Sequence, residues 1–329
     1  MKSPFTGKEM KKVYETRTWK YRGENFEYIH TSWICEDSGE RFTTDETDDA
    51  GYMLVTNQYR AKYGIPFTDE ILNIRTQYGI SAAKIAQILG MGTNQWRHYE
   101  AGEVPSVSNG RMIRSIMNPE VFLGLVESSK NELSENEYIK ISYNIQRIIA
   151  ENKNSHAINY ETKRIYMTER SAENGYGIQS LQRLKNILIY ILNSCGEVFY
   201  TKLNKILFYI DFLAYRETGM AITGLTYKAL QHGPVPEHWD KIYSNFEEIE
   251  NESRLYGDYE GVVVRTREKA NHTLFTESEL KIMEFICNRF KNSSSKEMST
   301  ISHNEPGWIE NEKLHQRIPF DTAFTLNAV

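Results

Sequence analysis

The pattern of apolar and polar positions changes from strand-like to helix-like after about the first 60 residues of the chain. Residues 13–21 and 26–35 are rich in Tyr, Thr and Trp, which favour a pleated strand, and residues 22–25 (RGEN) between them are typical of a turn. We therefore predict a small β-ribbon. The acidic run at 45–49 predicts a solvated loop or the start of a helix.

From Thr68 onward the apolar residues recur at helical spacing, and three short helices are predicted. Thr68, Ser81 and Thr93 are the candidate N-terminal caps, and each helix ends at a glycine. In the third helix Trp96 and Tyr99 stand three positions apart, which directs both side chains toward a core. The terminating glycines are Gly79, Gly90 and Gly102.

The second half of the chain is predicted to be mostly helical. Residues 119–130 and 134–152 predict two helices, and the polar stretch at 152–177 predicts a domain boundary. Beyond it, residues 181–192 and 202–215 predict two strongly apolar helices. The remaining predicted elements are helices at 236–246, 278–290 and 297–303 and a short strand at 262–265.

Composition and charge exclude several classes of protein. A net charge of −5 argues against a protein that coats nucleic acid over its whole surface, and no apolar run has the length of a transmembrane helix. The N-terminal residues have no signal-peptide pattern and the three cysteines are far apart, so we expect a cytoplasmic protein without a disulfide framework. Residues 61–118 are positive, with six basic against four acidic side chains, and an anionic partner is expected there.

The two short helices on either side of Gly90 have the features of a helix-turn-helix, whose second helix lies in the major groove of DNA. Ala83 and Ala86 leave the first helix thin enough for a close crossing. With Trp96 and Tyr99 in the core, the outward side chains of the second helix can bond base edges. The candidate DNA-contacting residues are Thr93, Asn94, Gln95, Arg97 and His98, with Arg111 and Arg114 for phosphates. The alternative is an ordinary three-helix packing unit with a polar surface.

Residues 84–102 (KIAQILGMGTNQWRHYEAG) resemble the helix-turn-helix of MqsA-type antitoxins and related repressors, in which an A-xx-L-G step precedes R-Y-E-x-G. His98 stands in place of the arginine of that pattern. The resemblance extends over roughly residues 1–115. It implies a repressor that binds operator DNA, with base-contacting positions at Asn94 and at Arg97 or His98.

The same family has an N-terminal zinc ribbon with two C-x₂-C knuckles. Residues 3–7 (SPFTG) and 35–40 (CEDSGE) take the places of these knuckles, and only Cys35 keeps a thiol. Hydroxyl groups do not supply the soft anionic sulfur that structural zinc requires. We therefore expect no metal, an ordinary buried thiol at Cys35 and a ribbon stabilised by aromatic side chains. Those aromatic residues are Phe5, Trp19, Phe26, Trp33 and Phe42.

Residues 181–310 resemble the SocA-like or Panacea domain, also called the GepA-like domain. The resemblance is carried by residues 205–211 (KILFYID), 222–224 (ITG), 231–236 (QHGPVP) and 302–303 (SH). It implies a mostly α domain that neutralises a toxin encoded beside it, or that delivers a toxin to a protease. The candidate partner-binding residues are Tyr209, Asp211, His232, Gly233, Pro234 and Val235.

The sequence contains no motif that points to catalysis, such as a nucleotide-binding loop, a zinc-protease helix or a nucleophile elbow. The spacing of His232, His238 and His303 does not predict a metal site. Cys195 ends an apolar helix, which predicts packing rather than a nucleophile. We therefore expect neither an enzyme nor a cofactor.

Together these patterns predict an α+β fold that is mainly α, in four segments. Residues 1–60 form a metal-free ribbon-like β domain, 61–118 a helix-turn-helix domain, 119–177 a helical connector and 178–329 a SocA-like domain that neutralises a toxin. The leading hypothesis is a type II antitoxin, a homodimer that binds a cognate protein toxin and operator DNA and does not contact a membrane. A proteolytic adaptor and a stand-alone transcription regulator stay open as alternatives.

Overall fold

The computed structural model describes residues 1–154, 160–256 and 259–329. It has the predicted α+β fold that is mainly α, with a small antiparallel sheet near the start of the chain. The chain divides into two compact units, one of residues 1–55 together with 161–329, the other of residues 56–160. In the described part no helix is both long and apolar enough to span a bilayer.

The N-terminal ribbon consists of β1 (Lys11–Tyr21) and β2 (Glu24–Ile34), which pair antiparallel along their whole length, with the short β3 (Arg41–Phe42) beside β2. Arg22 and Gly23 both have positive φ, as the tight turn of a two-residue hairpin requires. The predicted strands and turn are confirmed to within two residues.

The aromatic core predicted for the ribbon is only partly correct. Phe26 is buried, but Phe5 is 69% exposed and Trp19 is 37% exposed. Residues 16–20 of β1 are all exposed, although the ring of Trp19 lies 5.9 Å from that of Tyr28 and 6.3 Å from that of Tyr52. Phe5 instead contacts the ring of Phe42 at 5.9 Å.

The ribbon belongs to the same compact unit as the C-terminal part of the chain, which differs from the predicted separate domain. Lys12 forms an ion pair with Glu217 at 2.6 Å, and the ring of Tyr14 meets that of Phe324 edge to face. Contacts across more than 200 residues leave no periodic signal in the sequence, which is why the prediction separated the two regions.

The second unit is helical. It contains the end of α1 (Asp45–Tyr63) and the helices α2 (Thr68–Tyr78), α3 (Ala82–Ile88), α4 (Gln95–Glu100), α5 (Val107–Ser115), α6 (Pro119–Ser128) and α7 (Glu135–Asn154). The rings of Tyr78 and Phe122 pack at 4.5 Å in its core, and the Tyr78 hydroxyl donates to the Ile116 carbonyl. Helices α6 and α7 were predicted as part of a connector. They belong to this unit because they supply core residues such as Phe122 and Ile145.

The predicted boundary at 152–177 includes residues 155–159, which lie outside the described residues.

The helix caps around the predicted helix-turn-helix segment are mostly shifted by one position. Ser81 caps α3 as predicted. Phe67 instead of Thr68 precedes α2, and Asn94 instead of Thr93 precedes α4 without a side-chain cap. Helix ends are set by local hydrogen bonds that residue type alone does not fix.

The C-terminal part of the first unit is built around α10 (Tyr200–Thr218), in which every residue from Lys202 to Tyr215 is buried. Helices α9 (Leu181–Cys195), α12 (Glu277–Phe290) and α13 (Ser295–His303) pack on it. The other elements of this part are α8 (Tyr160–Tyr166), β4 (Val198–Phe199), β5 (Tyr227–Leu230), β6 (Gly233–Pro236), α11 (Trp239–Tyr243), β7 (Glu250–Tyr256), β8 (Tyr259–Arg265) and α14 (Pro306–Asn311).

Strands β4, β8 and β7 form one antiparallel sheet in that order, and β5 and β6 form a separate hairpin. The predicted strand and four of the predicted helices of this half are confirmed. The predicted helix at 236–246 is reduced to α11, because Pro236 ends β6 and His238 has a left-handed φ of 56°. Residues 231–232 form the loop of the hairpin, since Leu230 pairs with Gly233.

Candidate functional site

Motif residues from three distant parts of the sequence meet beneath the β5–β6 turn. Gly233 has a φ of +109°, and a Cβ at this position would lie 2.5 Å from Ser302 Oγ and 2.6 Å from Lys205 Cε. Only glycine combines this backbone conformation with such a close approach. Helix α10, strand β6 and helix α13 are therefore in direct contact at Gly233.

Lys205 is a fully buried charge with few partners. Its side chain is 0% exposed, and its Nζ donates to the Thr201 carbonyl at 3.3 Å. Burial lowers the pKa of Lys205 to about 8. Within the described residues no carboxylate pairs with this ammonium, so it has unused hydrogen-bonding capacity.

His303 lies near Lys205 and is held by Trp308. The two rings stack at 4.0 Å with an interplanar angle of 13°, and Trp308 Nε1 donates to the Leu230 carbonyl at 2.9 Å. Burial and, to a smaller extent, the charge of Lys205 lower the pKa of His303, which favours the neutral ring. His303 Nε2 is buried and finds no hydrogen-bond partner among the residues that the structure describes.

The predicted partner-binding residues divide into exposed and buried ones. His232 is exposed at the tip of the turn, where its carbonyl accepts a hydrogen bond from Ser299 Oγ at 3.3 Å, and Val235 is half-buried. Gly233 and Pro234 are buried beneath them. Of the predicted set, only His232 and Val235 reach the surface.

Tyr209 and Asp211 are both 0% exposed, so neither can contact a partner in this conformation. Asp211 Oδ1 accepts hydrogen bonds from the backbone N–H groups of Ile222 and Thr223, both at 2.9 Å. Its Oδ2 accepts from the Thr223 hydroxyl and from the Tyr227 hydroxyl at 2.6 Å. Burial outweighs these bonds and raises the pKa of Asp211 to about 6. Asp211 anchors the segment after α10, which corrects the prediction of a partner contact.

Sequence reasoning missed two further residues of this region and gave too little weight to Lys205. Glu305 is 1% exposed and accepts a hydrogen bond from the Tyr209 hydroxyl at 2.9 Å. Trp308 was not predicted at all, since its role depends on stacking with His303. Lys205 had a usable signal, because it is a lone charge within the apolar run of α10.

In the helical unit, α4 presents the predicted residues outward. Trp96 and Tyr99 are buried as predicted, and Trp96 Nε1 donates to Glu100 Oε1 at 2.8 Å. Glu100 also pairs with Arg75 at 2.6 Å, which fixes α4 against α2. The exposed residues of this segment are Thr93, Asn94, Arg97 and His98, with Gln95 half-exposed.

The candidate phosphate contacts lie on α5, which is the next helix. Arg111 and Arg114 are exposed, and Arg114 Nε donates to the Gly64 carbonyl at 2.7 Å. Gln95 Nε2 donates to Glu103 Oε1 at 3.2 Å, so this amide must break a hydrogen bond to read a base. Arg97 is exposed on α4.

The two knuckle-like frames of the ribbon converge on Cys35. The hydroxyls of Ser38, Thr6 and Ser3 hydrogen-bond to its sulfur, with Thr6 Oγ1 at 3.3 Å from Sγ. These bonds lower the pKa of Cys35 to about 6. Cys35 is buried as expected, and these hydroxyl contacts favour the ionised form of its thiol.

Comparison with known proteins is informative for part of the chain. Residues 203–309, about a third of the sequence, match the family model described as antitoxin SocA-like, Panacea domain. Neither the curated proteins nor the solved structures include a significant match. The matched segment runs from α10 to α14 and contains Lys205, the β5–β6 turn and His303. The match indicates a toxin–antitoxin-related role for this domain, and a protein toxin is the kind of partner that such a domain implies.

Proposed function

We propose that this chain is the antitoxin of a type II toxin–antitoxin pair. It neutralises its toxin by binding, without catalysis, and represses its own operon. The observation that carries the proposal is the antitoxin-like domain at residues 203–309, whose motif residues meet beneath one exposed turn. The outward set of side chains on α4 supports the repressor part.

The proposed toxin-binding surface, which we call the turn surface, consists of Gln231, His232 and Val235. Its backbone is preorganised, because Gly233 is confined between Lys205 and Ser302 and the His232 carbonyl is held by Ser299. A rigid surface loses little conformational entropy on binding. The imidazole of His232 can both hydrogen-bond and stack on a partner.

The toxin test uses the reading frame that neighbours this gene. We expect that gene to stop growth when expressed alone and to be harmless when the full chain is co-expressed. The double substitution His232→Asp with Val235→Asp should abolish rescue, because it places carboxylates where the contact excludes water. Phe285→Asp is the matched control, since Phe285 is 52% exposed on α12 of the same domain. A neighbour that is harmless alone would contradict the antitoxin proposal.

The proposed DNA contact is the exposed face of α4, with α5 on the phosphates. Asn94 and Arg97 carry the groups that bond adenine and guanine edges, and Arg111 adds a charge for the backbone. Residues 61–118 have a positive balance in an acidic chain, which favours local contact with DNA without general adhesion.

The DNA test is a gel-shift assay with the region upstream of the gene. Asn94→Ala with Arg97→Ala should weaken binding by at least about tenfold, since each base contact is worth roughly 1–3 kcal/mol. Gln146→Ala with Arg147→Ala removes the same kinds of group from the exposed face of α7 and should change binding little. The first variant should still rescue growth. If the unmodified chain shifts no such fragment at low salt, the repressor part is wrong.

A further inference from the structure

Two of the three cysteines lie side by side, although they are 92 positions apart. Cys195 ends α9 and Cys287 lies in α12, and these helices pack against each other. Cys195 Sγ is 3.9 Å from the carbonyl oxygen of Cys287, and the two thiols are within hydrogen-bonding reach. The two cysteines are therefore neighbours in the fold, which is the first requirement for a disulfide between them.

The two thiols differ in access and in charge. Cys195 is half-buried, whereas Cys287 is 1% exposed. A hydrogen bond from the Cys287 thiol lowers the pKa of Cys195, and the same contact raises the pKa of Cys287. Solvent therefore reaches the thiol that ionises more readily, while its neighbour stays protonated.

A buried lysine adds positive charge beside the pair. Lys202 is 6% exposed and its Nζ donates to the Lys291 carbonyl at 2.8 Å, which holds the ammonium in place. Its charge favours the Cys195 thiolate. A thiolate beside a fixed cation, with a second thiol in contact, is the arrangement of a cysteine that oxidises reversibly.

We propose that Cys195 and Cys287 are a redox modification site, in which a peroxide converts the two thiols into an intramolecular disulfide. The Cys195 thiolate attacks one peroxide oxygen, the O–O bond breaks, and Cys195 sulfenic acid and hydroxide form. The sulfur of Cys287 then attacks the sulfur of Cys195, the S–S bond forms and the S–O bond breaks. The Cys287 thiol proton and the hydroxide released from the S–O bond give one water. The proton that Cys195 lost on ionisation and the hydroxide of the first step give the other, so one hydrogen peroxide is reduced to two waters.

The third cysteine provides an internal reference. Cys35 is 1% exposed and its sulfur is surrounded by the hydroxyls of Ser38, Thr6 and Ser3. It has no second thiol to resolve a sulfenic acid, because the other two cysteines contact each other. The disulfide is therefore expected to exclude Cys35.

The test is peroxide titration of the full chain, followed by thiol counting and peptide mass mapping under non-reducing conditions. The count should fall from three thiols to one, with a linked Cys195–Cys287 peptide that dithiothreitol releases. Cys35→Ser should form the same link, and Cys195→Ser and Cys287→Ser should not. Lys202→Met should slow the reaction roughly threefold to tenfold at pH 7, because a smaller fraction of Cys195 is ionised.

Three outcomes would overturn the proposal. These are three thiols that persist after peroxide, sulfinic acid at Cys195 beside a free Cys287, and a link that joins two chains or includes Cys35. Each serine variant is first checked for an unchanged circular dichroism spectrum and melting temperature in the reduced state. A variant that fails this check is replaced by the alanine variant or by mapping of the unmodified chain. None of these readouts depends on a toxin or on DNA.

Discussion

Lys205 and Asp211 lie six positions apart in the same helix, and both are 0% exposed, yet their surroundings are opposite. Asp211 accepts four hydrogen bonds from one segment of chain, at Ile222, Thr223 and Tyr227. Lys205 donates one, to a carbonyl of its own helix. Burial alone therefore does not show whether a charged side chain in a core stabilises the fold or has another role.

Asp211, whose carboxylate is fully hydrogen-bonded, stabilises the fold. Asp211 joins α10 to the backbone of Ile222 and Thr223, and this explains why an aspartate and an Ile-Thr-Gly step occur together in the motif. The poorly satisfied charge costs stability, because an ammonium without a counter-ion is unfavourable in a core. We infer that such a residue serves the proposed turn surface, beneath which it lies, and not the fold.

The largest expected effect is that of Asp211→Ala. It leaves the donors of Ile222, Thr223 and Tyr227 without an acceptor, and the free energy of unfolding should fall by about 3–5 kcal/mol. Chemical denaturation followed by circular dichroism measures the change. Asp240→Ala removes an exposed aspartate of the same unit and should stay within about 0.5 kcal/mol of the unmodified chain. Equal stability of the two variants would contradict the anchoring role.

The next effect is the pH dependence of the free energy of unfolding, to which Asp211 and Lys205 contribute in different pH ranges. Between about pH 4 and 6 native Asp211 keeps a proton that the unfolded chain has lost, so its contribution to stability falls as pH rises. Between about pH 8 and 10.5 native Lys205 has lost a proton that the unfolded chain keeps, so its contribution rises with pH. Each window is worth about 3 kcal/mol.

This pH prediction is measured as a difference between the unmodified chain and a variant, since many other groups titrate too. Asp211→Asn should remove the slope in the acid window only, and Lys205→Met should remove the slope in the alkaline window only. The free energy of unfolding is plotted against pH for each variant and for the unmodified chain. If the two curves run parallel across the pH window of the substituted residue, its charge is not buried in the native state.

The smallest effect is that of Lys205→Met at pH 7, and its sign is opposite to that of Asp211→Ala. Methionine removes the unpaired ammonium but loses the bond to Thr201, so the free energy of unfolding should rise by about 1–2 kcal/mol. Lys313→Met changes an exposed lysine and should be neutral. A loss of stability as large as that of Asp211→Ala would show that Lys205, like Asp211, stabilises the fold. Loss of toxin neutralisation with gained stability would tie Lys205 to the binding site.

The elements of the fold were largely predictable. The content of Tyr, Thr and Trp located β1 and β2, and a period of 3.6 residues located most helices, since these signals arise from neighbours along the chain. The hairpin of β5 and β6 was missed because prolines and glycine obscure a strand of four residues. The caps before α2 and α4 shifted because backbone geometry, and not the residue type, decides where a helix starts.

The candidate site was predictable only as a set of segments. The motif at residues 231–236 was identified, and so was the outward face of α4. Which members are exposed was not, because that depends on layers contributed by distant residues such as Trp308 and Ser302. The same limit applied to Cys195 and Cys287, whose contact joins helices that lie far apart in the sequence.

The amino-acid order by itself determined the helices and strands, the exposed polar face of α4 and the kinship of residues 203–309, because each depends on local spacing. The tertiary structure alone decided that the N-terminal ribbon belongs with the C-terminal part, that Asp211 is an anchor and that Lys205 is an unpaired charge. These properties depend on which surfaces exclude water from one another, and that is fixed only when segments that are not adjacent in the sequence pack together.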